Sequence, residues 1–84
     1  MKRLPPRVEV EWLDIVQTAE WRGRAEVEAS QPAKCRSVGY LIKRDVARVV
    51  LAHTLNDDDS DYTTIPAGCV LRICKLRRAG EFAA

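Results

Sequence analysis

The sequence predicts a mainly β domain, a five-stranded and strongly bent antiparallel barrel with one helix inserted after the first strand. Three observations predict it. Residues 7–13 alternate, with Val8, Val10 and Trp12 on one face and Arg7, Glu9 and Glu11 on the other, the period of a half-buried strand. Residues 35–55 read as two strands joined by the polar turn Lys43-Arg44-Asp45. Pro66-Ala67-Gly68 interrupts two further β-rich runs with what reads as one turn of 3₁₀ helix.

Pro5-Pro6 blocks helix and ladder alike, so residues 1–6 read as a loose arm. After the first strand, Thr18 is the expected N-cap of a short helix over residues 19–29, with Glu20 favoured by the helix dipole and Trp21 and Ala25 on one face. Gly23 weakens that helix by up to about 1 kcal/mol, so it needs packing from Trp21. Ser30-Gln31-Pro32 ends it.

The central hairpin carries apolar residues on both faces. Val38, Tyr40 and Ile42 share a face of its first strand. In its second, Val49, Leu51 and Leu55 oppose Val50 and Ala52. Two-sided apolar strands are buried on both sides. Gly39, in mid-strand, is the expected site of a bulge or sharp bend. Residues 56–61 read as a solvated loop, 62–65 as a strand, 70–76 as the final strand and 77–84 as a frayed tail. The expected core is Val8, Val10, Trp12, Trp21, Val38, Tyr40, Ile42, Val49, Leu51, Ile65, Leu71 and Ile73. Five short strands with a one-turn break before the last match the SH3-like or Sm-like small barrel. That is an analogy of pattern and carries no function.

With 84 residues the chain reads as one domain. So short a chain buries only about 60–65% of its unfolded surface, and self-association would add to that. No run reaches the roughly 20 apolar residues of a membrane span. Residues 1–6 lack the apolar run of a signal peptide. The expectation is a cytoplasmic protein without membrane partners.

Cys35, Cys69 and Cys74 are an odd set, against a disulfide framework. With His53 they lack zinc-site spacing and read as reduced thiols acting as small hydrophobes. Asp57, Asp59 and Asp61 open a calcium-loop pattern that fails at Tyr62 and Gly68, where glycine and glutamate are required. His53 has no sequence-placed nucleophile, and no phosphate-binding or zinc-protease motif is present. The chain reads as a non-enzyme with no cofactor and no metal.

The net charge of +2 is uneven. Lys34, Arg36, Lys43, Arg44 and Arg48 bracket the central hairpin against Asp45, and four aspartates fill 57–61 around Ser60. Arg36, Lys43, Arg44, Arg48 and Tyr62 are the candidate ligand-binding residues, because the arginine fork suits phosphate and a half-exposed phenol can stack.

Trp12-Leu13-Asp14, Trp21, Cys35-x-x-Val38-Gly39-Tyr40-Leu41, Leu51-Ala52 and Ile65-Pro66, with Val70, Ile73 and Leu76 after them, resemble a family of small uncharacterised proteins of tailed-phage and prophage genomes. The resemblance spans residues 8–76 and rests on core and turn positions. It implies an accessory protein of a bacterial cytoplasm and carries over no catalytic residue. The function expected is a binding module that self-associates or binds a host protein. The alternative is nucleotide or nucleic-acid binding through the basic hairpin. The final strand, with only Arg72 and Lys75 as charges, is the expected subunit interface, in a symmetric dimer before a ring.

Overall fold

The computed structural model describes residues 3–77. The expectations for 1–2 and 78–84 lie outside them. The fold is one antiparallel sheet of five strands: β1 (Arg7–Asp14), β2 (Ala33–Arg44), β3 (Arg48–Leu55), β4 (Ser60–Pro66) and β5 (Val70–Lys75). Their order in space is β4-β3-β2-β1-β5. A 3₁₀ turn at Ala67–Cys69 precedes β5, as the proline-glycine break predicts. The sheet is open among the described residues, with β4 and β5 as its edges.

Alternation holds in β1, where Val8 and Val10 are buried and pack with Val49, Leu51 and Ile65. Trp12, Leu41, Cys69, Val70 and Ile73 are half-buried against this cluster. The Trp12 indole Nε1 donates to Ser37 Oγ at 3.0 Å, so its polar edge is satisfied where β1 meets β2.

Several expected core positions are corrected. Register pairs Val8 with Gly39 and Val10 with Ser37. Directly paired residues share a face, so Gly39 and Leu41 lie on the core side. Val38 and Ile42 are consequently exposed, and Tyr40 is half-buried on the opposite face. Leu71 is exposed because the β1–β5 register shifts between Glu11 and Trp12, where Glu11 pairs with Arg72 and Trp12 with Val70. Trp21 is 99% exposed and contributes nothing to the core.

The excursion between β1 and β2 is also smaller in structure than predicted. The only helix of the described residues, α1, runs Arg24–Glu28, has no buried residue and starts at Gly23 in an extended conformation. Thr18 does not cap it. Its Oγ1 accepts from the Glu20 amide at 3.1 Å, a local turn that holds the chain out of helix. Arg22 pairs with Glu20 at 2.6 Å and with Glu26 at 3.6 Å, both in solvent.

Lys43 and Arg44 belong to β2, so the hairpin turn is narrower than predicted. Asp45 Oδ1 accepts from the amides of Ala47 (2.8 Å) and Arg48 (2.9 Å). No described residue, glycine included, has positive φ, so the turn is held by this carboxylate rather than by a left-handed residue. The register shift in β2 falls between Leu41 and Lys43, not at Gly39. Gly39 serves a close approach instead, with the Ala52 carbonyl against its Cα.

Candidate functional site

Three clusters of chemically capable side chains arise from this register. The first lies at the end of β3. His53 Nδ1 is 3.0 Å from the Val38 carbonyl oxygen, and Nε2 is 2.8 Å from Thr63 Oγ1. A carbonyl only accepts, so Nδ1 carries a proton, and Nε2 is hydrogen-bonded to the Thr63 hydroxyl. Beside it the β3–β4 register shifts between Ala52 and Leu55. Asp61 Oδ1 fills that gap by accepting from the amides of His53 (3.2 Å) and Thr54 (2.6 Å). Hydroxyl, imidazole and an orienting carbonyl thus converge, which sequence spacing gave no means of seeing.

The aspartate loop is organised by Asn56, whose Oδ1 accepts from the amides of Asp58 (2.8 Å) and Asp59 (2.7 Å) and whose Nδ2 donates to Asp59 Oδ1 (2.7 Å). These are turn contacts. Among the described residues no group of His, Cys, Asp and Glu side chains is gathered to hold a metal ion.

The second cluster crosses β2, β1 and β5 on the face away from the core. Arg36 meets Glu11 at 3.1 Å, and Arg72 Nε donates to Cys74 Sγ at 3.0 Å. That hydrogen bond, helped by the charge of Cys74 and of Glu11, holds the Arg72 guanidinium above its ordinary range. The thiols of Cys35, Cys69 and Cys74 are free and half-buried.

The third lies on the same face across β2, β3 and β4. Tyr40 pairs with Ala52, and Ala52 with Tyr62. Lys43 pairs with Val50, and Arg48 with Pro66. Three of the sequence-predicted ligand residues, Lys43, Arg44 and Arg48, therefore lie at the hairpin end, and Tyr62 stands opposite Ala52, four residues along β3 from Arg48. Of these, Arg44 pairs with Val49 and so falls on the core side of the ladder. Arg36 lies apart, opposite Glu11. Arg48 Nη1 is 3.4 Å from Asp45 Oδ2. Tyr40, placed in the core by sequence, belongs to this cluster.

Two clefts adjoin these clusters, and Arg44 and Arg72 line the second. One of about 510 Å³ at the foot of the β1–β2 excursion is lined by Leu13, Ile15, Val16, Pro32 and Cys69 among others. One of about 260 Å³ runs along β5 between Arg44 and Ile73. No helix of the described residues is long and apolar enough to cross a membrane. No protein-family model, curated protein or solved structure matches the chain.

Proposed function

We propose that this chain is a non-enzymatic binding module of phage or prophage type that works as a homo-oligomer, with a host protein as its further partner. One observation carries the reading: β5 is a sheet edge that no other strand pairs among the described residues, and its only charges are Arg72 and Lys75. β4, the other edge, ends in Pro66, which has no amide to donate. β5 has no proline, and its Leu71 is half exposed. An edge strand of this kind is normally covered or paired.

Apolar side chains beyond the core point the same way. Ile15, Val16, Trp21 and Val27 are all exposed on the excursion, whose foot meets Cys69 just before β5. Ile15 and Val16 share one cleft and Val16 and Val27 another, and adjoining exposed apolar side chains mark an interaction surface. The SH3-like or Sm-like barrel is part of the proposal. It is supported by the return of β5 to β1 after a 3₁₀ turn and by register shifts in three of the ladders, each of which bends a strand.

Light scattering at about 50 μM, within reach of weak interfaces, tests this. A dimer is expected, and Leu71→Lys shifts it to monomer while circular dichroism keeps its β signal. A wild-type monomer at that concentration sinks the reading.

A further inference from the structure

The transverse row Arg7–Tyr40–Ala52–Tyr62 runs unbroken through the ladders of β1, β2, β3 and β4. Its members face away from the core, because the alternate residues Val8, Leu41, Leu51 and Thr63 pair on the core side. Neighbouring strands are about 4.8 Å apart, so the two tyrosines stand roughly 10 Å apart across the methyl group of Ala52. Ala52 has 0% of its surface accessible, while Tyr62 is 70% exposed and Tyr40 half-buried. The result is an aromatic surface whose two rings flank a covered alanine, with no long side chain between them.

Cations frame it. Lys43 is one pair along the β2–β3 ladder from Tyr40, opposite Val50, with Thr64 beside it on β4. Arg48 is one pair further, opposite Pro66, and Arg7 closes the other end of the aromatic row. Pairs on one face repeat every ~7 Å along a strand, so Lys43 stands about 7 Å and Arg48 about 14 Å from the tyrosine row. Of the carboxylates around it, Asp45 is occupied by two backbone amides and by Arg48, Asp61 beside Tyr62 by the amides of His53 and Thr54, and Glu9 lies opposite Val38, one same-face position from Arg7. Glu11, on the β1 side, is taken by Arg36. What remains is an aromatic surface with Arg7 at its β1 end and Lys43 beside it, neither of them in an ion pair among the described residues, while Arg48 stands farther off with Asp45.

We infer that this face binds single-stranded nucleic acid, with bases stacked on Tyr62 and Tyr40 and phosphates held by Arg7, Lys43 and Arg48. Stacking needs an unpaired base, and a π-face accepts any base, so the binding is strand-selective and sequence-tolerant. A duplex hides its bases and would meet only the cations. The inference is independent of self-association.

The test is fluorescence anisotropy with the full chain and a labelled 12-nucleotide oligo-dT, beside a duplex of equal length and free dTMP. The single strand binds, the duplex binds at least tenfold more weakly, and dTMP competes poorly. Tyr62→Ala weakens the single strand about tenfold, within the range for loss of one stacked base, whereas Tyr62→Phe keeps it. Lys43→Glu lowers the slope of log affinity against log salt by about 0.7 or more, one phosphate contact. Tyr62 and Lys43 are both exposed, so each variant is expected to fold, and circular dichroism checks it. Absence of single-strand binding at low salt overturns the inference. So does equal affinity for duplex, or indifference to Tyr62→Ala, since either would leave charge alone as the attraction.

Discussion

Gly39 lies directly beneath His53 and against the β3 backbone: a methyl group at position 39 would stand 3.3 Å from His53 Nδ1 and 2.7 Å from the Ala52 carbonyl oxygen. The imidazole and the strand behind it can approach only because β2 has no side chain there. Replacing glycine by alanine in extended backbone normally stabilises a protein by about 0.4–1 kcal/mol through the unfolded chain. Gly39 has no positive φ to oppose that gain. Here the steric term wins, because the clash is with backbone that is pinned in the β2–β3 ladder. Gly39→Ala is expected to cost about 1–3 kcal/mol in urea unfolding, the usual cost of overpacking. A stabilised variant would refute the close approach.

Asp45 gives the hairpin a pH dependence of known sign. The amides of Ala47 and Arg48, with lesser help from the charges of Arg48 and Lys43, lower its pKa from the ordinary 3.8. A depressed carboxylate contributes stability that is fully present above its unfolded pKa and lost as pH falls through the folded value. Asp45→Asn keeps an accepting oxygen but not the charge. The gap in urea midpoint between wild type and Asp45→Asn should therefore be constant from neutral pH to about 5 and narrow below about 4. A gap that widens on acidification would contradict the assignment.

Leu51 and Trp21 separate the folded sheet from the excursion. Leu51 has 0% of its surface accessible at the centre of the core cluster. Leu51→Ala should cost about 2–5 kcal/mol. Trp21→Ala should leave the stability of an isolated subunit within about 0.5 kcal/mol, as for an exposed site. A large loss at Trp21 that vanishes on dilution would mean that a second copy covers it.

The β strands were legible in the sequence because their pattern is local. Val8, Val10 and Trp12 alternate with charged residues, and only one face of β1 can be the core. The 3₁₀ turn at Ala67–Cys69 and the position of β5 follow from proline and glycine, which act on their own backbone. The inward face of β2 was not legible. Val38, Tyr40 and Ile42 on one side, and Leu41 on the other, are all apolar, so burial could favour either face. The pairing of Val8 with Gly39 decided it, and a one-residue shift would have reversed every side chain of the strand.

The same holds for the surface proposed to take a ligand. Lys43, Arg48 and Tyr62 were recognisable from sequence as residues suited to a ligand, since their chemistry is intrinsic. That Tyr40 and Arg7 join them, while Arg36 is drawn away to Glu11, depends on residues far apart in the chain meeting across four strands. Trp21 is the sharpest divergence. Its size and spacing predict burial, but burial needs a partner surface, and none of the sheet's apolar face extends to the excursion that carries it. Hydrophobicity is a property of the side chain alone, whereas burial belongs to a pair of surfaces, and only the tertiary structure says which surfaces meet.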